Sequence, residues 1–203
     1  DKLVDTFHTT FGIRTIRFDA NEGFFLNGKH VKIKGTNNHQ DHAGVGSAMP
    51  DALQDFRIKT LKSFGSNAYR CSHNVPTPEL LEACDRLGML VIDEAFDMWE
   101  RPKNPQDYSR FFKDWWQKDI NSMIMRDRNH PSIILWSIGN EINERADSIG
   151  FTIRKQLKNE VNKIDPGRLV TEAICEFWDH KGKPWSATAA AFADLDVAGY
   201  NYQ

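Results

Sequence analysis

The stretch SNAYRCSHNVPTPELLEACDRLGMLVIDEAF, residues 66–96, decides how this chain is laid out. SNAYRCSH and MLVIDEAF each read as a short, largely apolar strand. Between them Thr77 stands where a helix N-cap belongs, Pro78 at the first helical position and Gly88 just past the last turn. A strand, a helix and another strand in so short a span make a crossover unit. Such a unit places its two strands parallel, with the helix on one face of the sheet.

The same alternation continues on both sides. Upstream, KIKGTNNH (32–39) reads as a strand. DALQDFRIKTLKSFG (51–65) reads as a helix, with Leu53, Phe56, Leu61 and Phe64 on one face and Gly65 as its stop. Downstream comes a helix over 110–128 carrying Phe112, Trp116, Ile120 and Met123, then the strand SIILWSIGNE (132–141). A helix over 148–164 ends at Asp165-Pro166-Gly167, and RLVTEAI (168–174) and DVAGYNY (196–202) read as further strands. Ahead of all these, FGIRTIRF (11–18) alternates as a half-buried strand does. GFFLNGKHVKIKG (23–35) turns about Asn27-Gly28, a strong hairpin signal.

Composition narrows the function classes. The 203 residues carry 26 basic and 28 acidic side chains, interspersed, for a net charge of −2. That balance offers no footprint for nucleic acid or an anionic membrane surface, and no apolar run approaches the ~20 residues of a membrane span. The first residues, DKLVDTFHTT, show no basic start followed by an apolar stretch. Cys71, Cys84 and Cys175 are odd in number and unpaired by spacing, which points to small buried side chains rather than a disulfide framework or a zinc ribbon. Six tryptophans and thirteen phenylalanines suit either a large core or an aromatic-lined cleft.

Repeated strand–helix units close either as an open doubly wound sheet or as a (β/α)8 TIM barrel. The glycine-rich phosphate fingerprints of the open class are absent. Polar residues stand instead at the C-terminal end of nearly every strand: His39, His73, Asp93 with Glu94, Asn140 with Glu141, Glu172, and Tyr200 to Tyr202. In a barrel these ends form one rim, and chemistry sits there. The fold class is therefore α/β, a TIM barrel of which about six strands can be counted. Six strands alone would leave open edges and an exposed core. Residues 21–203 are thus expected to be the N-terminal part of a longer barrel domain, cut before its last two strands. Residues 1–20 are expected to be the end of a preceding β-sandwich domain.

The strand at 132–141 raises the question of function. It is apolar as far as Ile138, Gly139 gives room for close approach, and then Asn140 and Glu141 emerge. The plain role for Glu141 is to cap the next helix or pair with an arginine such as Arg145. The chemical role is a proton donor at a cleft floor, half-buried among Trp136 and other aromatics. Loss of solvent favours the protonated form of a carboxyl, which is the form a general acid must supply. Asn140 beside it is placed to hydrogen-bond a substrate hydroxyl.

RDRNHPSIILWSIGNE (126–141) closely resembles the acid/base motif of glycoside hydrolase family 2, which holds β-galactosidases, β-glucuronidases and β-mannosidases. FFLNGKHVKIKGTNNHQDH (24–42) resembles the start of that family's barrel, residues 67–96 its second and third strands, and DVAGYNY its sixth. The resemblance implies hydrolysis of terminal β-glycosidic bonds by a retaining double displacement. It favours β-D-galactosides, with β-glucuronides or β-mannosides as the alternative. Position by position, it implies that Glu141 is the general acid/base and that Asn140 holds the sugar's 2-hydroxyl. It also implies that His39 and His73 line the sugar subsite and that Tyr202 brings a hydroxyl near the nucleophile. Arg70 and Asp93 are implied to buttress the site; for Arg70 and His73, substrate contact and internal support stay equally open. The implied partners are a carbohydrate substrate and the remainder of the same polypeptide.

A retaining glycosidase needs a second carboxyl roughly 5–5.5 Å from the first. The resemblance places that nucleophile on a seventh strand. Glu172 and Glu176, near the fifth, do not match it, so none is assigned, and these residues alone are expected not to turn over glycosides. Some relatives hold magnesium through a glutamate a few residues beyond the Asp-Glu pair of the third strand. In DEAFDMWE (93–100) Met98 falls at that place, so no metal or other cofactor is expected. A reading from another class starts at NNHQDH (37–42), where His39, Asp41 and His42 resemble part of an HxHxDH metallohydrolase cluster. Asn37 replaces its first histidine, and two imidazoles with one carboxylate are thin for zinc. A carbohydrate-binding barrel without catalysis is the third reading. Two loops, RPKNPQDYSR (101–110) and EFWDHKGKPWSATAAAF (176–192), are expected to overhang the cleft. In the second, Trp178 and Trp185 either stack on a sugar or pack beneath the loop.

Overall fold

In the computed structural model, residues 2–176 and 185–202 are described. The chain opens with three short antiparallel strands, β1 (Ile16–Asp19), β2 (Gly23–Leu26) and β3 (Lys29–His30). The turn between β2 and β3 holds Asn27 and Gly28 at positive φ, +50° and +75°, as the Asn-Gly pair leads one to expect. The alternating run at 11–18 becomes strand only from Ile16, and Phe11 and Ile13 stay exposed. Arg14 draws this segment away from strand pairing, because its guanidinium donates to the backbone carbonyls of Pro131 and Ile133.

Six parallel strands follow, hydrogen-bonded side by side in chain order. They are β4 (Gly35–His39), β5 (Ala68–Ser72), β6 (Leu90–Glu94), β7 (Ile133–Asn140), β8 (Leu169–Ile174) and β9 (Val197–Tyr200). Helices α1 (Asp51–Ser63), α2 (Pro78–Leu87), α3 (Ser109–Asp127) and α4 (Ser148–Ile164) fill the first four crossovers, and the short α5 (Ala189–Ala193) precedes β9. An open doubly wound sheet would reverse its order at a switch point; a (β/α)8 barrel advances one strand at a time, as here.

Side chains divide by strand parity. Tyr69 and Cys71 of β5, Val91 of β6, and Val170 and Ile174 of β8 face outward. They pack on Leu80, Leu81 and Cys84 of α2, Ile120, Met123 and Ile124 of α3, and Leu157 and Val161 of α4. Each fully buried aliphatic side chain of this kind stabilises the fold by ~1.5–3 kcal/mol. Leu90, Ile92, Leu135, Leu169 and Val197 belong to a second cluster, with Phe24, Ile16, Phe18 and Leu26 of the antiparallel sheet. The hairpin sheet therefore closes the N-terminal end of the barrel. Its mouth is the opposite rim.

One helix faces differently from expectation. On α1 the buried positions are Gln54 and Ile58, whereas Phe56 is 59% and Phe64 82% exposed. Polar anchors set this rotation. Gln54 donates to Thr77 Oγ1, and Arg57 donates to the carbonyls of His39 and Asp41 and to the Tyr69 hydroxyl. The three cysteines are buried, and burial pushes the Cys71 and Cys84 thiols up, away from nucleophilic use. Among the described residues no helix is long and apolar enough to cross a membrane.

Candidate active site

The site is built from the C-terminal ends of the inner strands. All eight residues of β7 are buried. A side chain at Gly139 would place its Cβ 2.8 Å from Ile142 Cγ1 and 3.2 Å from the Trp99 ring, so only glycine lets the chain pass here. Asn140 ends the strand almost fully buried, and the half-buried Glu141 follows at φ +49°. A non-glycine residue keeps that left-handed conformation only where its surroundings hold it. The Glu141 N–H is held by the Ala173 carbonyl at 2.8 Å.

The Asn140 amide is fixed at both ends. Its Nδ2 donates to Asp97 Oδ1 at 2.9 Å, while its Oδ1 accepts from Arg70 Nη2 at 2.8 Å and Asn201 Nδ2 at 3.1 Å. Asn201 Nδ2 also donates to Glu141 Oε1 at 2.7 Å. One side chain beyond β9 thus ties the amide to the carboxyl group beside it.

Beneath this pair lies Glu94, the last residue of β6, with its side chain fully buried. Its Oε2 accepts from Arg70 Nε at 2.8 Å and Ser137 Oγ at 2.6 Å. Its Oε1 accepts from Arg70 Nη2 at 3.1 Å and lies 2.7 Å from His73 Nδ1. With Nδ1 donating, a neutral His73 ring keeps Nε2 as an acceptor. His39 meets that ring edge-on, with centroids 5.2 Å apart. Beside these histidines and Asp97 a cavity of about 540 Å³ runs toward α3, with Val75, Phe96, Met98 and Met123 among its apolar walls.

Comparison with known proteins identifies the family. The model of the TIM barrel domain of glycosyl hydrolases family 2 matches residues 19–181. The chain belongs to glycoside hydrolase family 2. It is 37% identical over 233 aligned residues to Beta-galactosidase BoGH2A of Bacteroides ovatus, covering 100% of this chain and 27% of that protein. It is 33% identical over 171 residues to a β-glucuronidase of Chlorocebus aethiops, covering 83% of this chain and 26% of that one. A crystal structure of a family 2 member from Bacteroides cellulosilyticus superposes with a TM-score of 0.88 at 46% identity, covering 95% of this chain and 24% of that chain. The chain thus spans about a quarter of the length of these family 2 relatives.

Of the residues expected at the site, the structure brings His39, His73, Arg70, Asn140 and Glu141 together at one rim. Tyr202 follows Asn201 there, 56% exposed and at φ +65°. The helix after Glu141 is capped by Asp147, and Arg145 Nε is directed to Glu176 at 2.9 Å, so neither plain role for Glu141 is realised by these groups.

Asp93 is not among the rim residues. It lies on the outward face of β6, fully buried, turned toward Asp127 of α3. Burial first, and the charge of Asp127 second, push its carboxyl well above the usual carboxylate range. The buttress expected of Asp93 is supplied by its neighbour Glu94, one position on and therefore on the inner face. Trp136 is also absent from the cleft: its indole N–H donates outward to Asp165 at 3.1 Å. Glu172 faces α4, where Arg154 Nε donates to it at 2.5 Å.

Two polar contributors that reach in from the loop after β6, Asp97 and Lys103, were not expected from the sequence, and Asn201, inside the expected rim segment Tyr200 to Tyr202, had no role assigned to it. Lys103 lies in the 101–110 loop expected to overhang the cleft, and Tyr108 of that loop lines the cavity. Trp178 and the side chain of Trp185 lie outside the described residues.

The metal readings find no donor set. His42 Nδ1 lies 2.9 Å from the Ala43 carbonyl, and Asp41 offers its backbone oxygen to Arg57. Among the described residues no three His, Cys, Asp or Glu side chains converge as ligands. Met98 is buried at the place where the resemblance to some family members puts a magnesium-holding glutamate, and a thioether does not suit a hard, oxygen-seeking cation. The residues present do not fit a magnesium site there.

Proposed function

We propose that this chain carries the acid/base half of the catalytic centre of a retaining exo-β-glycosidase, with β-D-galactosides as substrates. The observation that carries the reading is the Asn140–Glu141 pair at the end of β7, locked in a left-handed turn and joined through Asn201. In this role the Glu141 carboxyl protonates the departing glycosidic oxygen. Its carboxylate then takes a proton from the water that releases the sugar. Asn140, already committed to Arg70 and Asp97, presents a rigid amide to the sugar's 2-hydroxyl. His39 and His73 line the adjoining wall.

The reaction also needs a nucleophilic carboxylate about 5–5.5 Å from the acid/base. Glu94, Glu172 and Glu176 are each committed to an arginine, so they serve as supports rather than as that group. The family resemblance puts the second carboxylate on a seventh strand, in the remainder of the polypeptide, together with part of the sugar subsite.

Charge supports a neutral sugar. Arg70 and Lys103 at the rim are already neutralised by Glu94 and Asp97, and Arg126, which lines the adjoining cavity, is neutralised by Asp127. A uronic acid would need one of them released. The test is an assay of the full-length protein, wild type and Glu141→Gln, on aryl β-galactoside, β-glucuronide and β-mannoside. The galactoside should be cleaved best, and the variant should lose about 10²–10⁴-fold in rate on a poor leaving group. Unaltered cleavage by the variant would remove Glu141 from the chemistry. Sugar binding without cleavage by the wild type would establish a binding barrel instead.

A further inference from the structure

The loop after β6 is stapled to the segment that carries Glu141, and the staple ends on a cation. The Glu144 carboxylate accepts from the N–H groups of Glu100 at 2.8 Å and Arg101 at 2.9 Å. Asn143 Nδ2 donates to the Pro102 carbonyl at 3.0 Å. Lys103 comes next. Its own N–H is held by Asp107 Oδ2 at 2.7 Å, and its ammonium donates to Asp97 Oδ1 at 2.7 Å and to the Asn140 carbonyl at 2.9 Å.

That carbonyl belongs to the peptide linking Asn140 to Glu141. Its other face is the Glu141 N–H, bound to Ala173 at 2.8 Å. The peptide plane is thus clamped from both sides, at the point where the chain enters the left-handed conformation of Glu141. The same Asp97 oxygen that receives Lys103 also receives the Asn140 side chain, so one ammonium organises the peptide and the amide together. The Lys103 side chain is only 20% exposed, which shields these contacts from water.

We infer that Lys103 is a positioning residue for the proton donor: its ammonium fixes the Asn140–Glu141 peptide and, through Asp97, the Asn140 amide. The inference rests on Glu141 being the acid/base. A residue that acts through the acid should matter in proportion to the need for protonation. A generally stabilising residue should not discriminate.

The experiment uses the full-length enzyme and two glycosides of the sugar it cleaves best, one with a 2,4-dinitrophenolate and one with a methoxide leaving group. Lys103→Met should lower kcat/KM on the methyl glycoside by about 10–100-fold, and on the dinitrophenyl glycoside by no more than about threefold. Asp97→Asn, which withdraws the ammonium's partner, should give the same split in smaller measure, and Lys103→Arg should recover part of the loss. Equal losses on both substrates, or none, would overturn the inference. Should Lys103→Met not fold, Lys103→Gln and Asp97→Asn decide by the same ratio. Glu141→Gln is the control. If it shows the split and the Lys103 and Asp97 variants do not, only the positioning role fails. If Glu141→Gln shows no split, the acid/base reading itself fails.

Discussion

Glu94 and Arg70 form a two-pronged ion pair at the floor of the site, with Nε–Oε2 at 2.8 Å and Nη2–Oε1 at 3.1 Å. Neither charge is there to hold the other alone. The guanidinium goes on to Asn140 and the carboxylate to His73 and Ser137, so three further side chains share one anchor.

Removing one half of that anchor should be costly. Glu94→Ala leaves a largely buried guanidinium without its counter-charge, a change that costs about 3–5 kcal/mol. Urea unfolding of the full-length protein should show a loss of that size. The double change Glu94→Leu with Arg70→Met should unfold later than Glu94→Ala, because no uncompensated charge remains. If the double change unfolds earlier than the single one, the pair is itself a net source of stability and this account is wrong.

Asn201 should matter for rate rather than stability. A hydrogen bond of this kind contributes about 0.5–1.5 kcal/mol, so Asn201→Ala should reduce kcat/KM by roughly 2–12-fold if that contribution is expressed in the transition state. The half-exposed position of Asn201 argues against any large change in melting temperature. Steady-state kinetics beside a thermal melt separate the two effects. A lowered melting temperature with unchanged kinetics would assign Asn201 to the fold alone.

Gly139 has no room for a side chain unless its neighbours shift. In Gly139→Ala the new methyl must displace Ile142 or Trp99, and overpacking of this kind costs about 1–3 kcal/mol. Because Ile142 adjoins Glu141, activity should fall further than stability does. Activity kept at the wild-type level in a folded Gly139→Ala protein would show that the acid's position tolerates a shift of the strand end.

Much of this was legible in the sequence because local chemistry and fold agree. Thr77, Pro78 and Gly88 bracket α2, and Asp165-Pro166-Gly167 ends α4 where the apolar period stops. Asn140 and Glu141 announced themselves as polar residues leaving a buried strand. What failed was facing, which no local signal sets. Asp93 and Glu94 are equivalent in a sequence, and only the barrel's curvature decides which turns inward. Trp136 was expected at the cleft and packs outside it for the same reason. The α1 face went astray because Gln54 and Arg57, both polar, dock the helix through hydrogen bonds rather than through Phe56 and Phe64. Lys103 carries no motif, and Asn201, though inside DVAGYNY, has no role that its residue type announces. Each becomes visible only when two loops distant in sequence meet at Asn140.

Asp93 itself makes a prediction about pH. Its two oxygens meet no N–H or O–H donor, and its polar neighbour is the Asp127 carboxyl group, so a proton on Asp93 provides the hydrogen bond between them. Its folded pKa therefore lies above the ordinary 3.8, for which burial is the leading cause and Asp127 the next. In a folded molecule Asp93 stays protonated at pH values where the unfolded chain has released the proton. The sign follows from linkage. The contribution of this group to stability is fully present below pH 3.8 and is lost as pH rises toward the folded pKa. Asp93→Asn replaces the proton-dependent donor with an amide that donates at any pH. Near neutral pH the variant should melt above the wild type, and the gap should narrow steadily as the solution is acidified toward pH 4. A gap that stays constant across that range would show that Asp93 is ionised in the folded molecule.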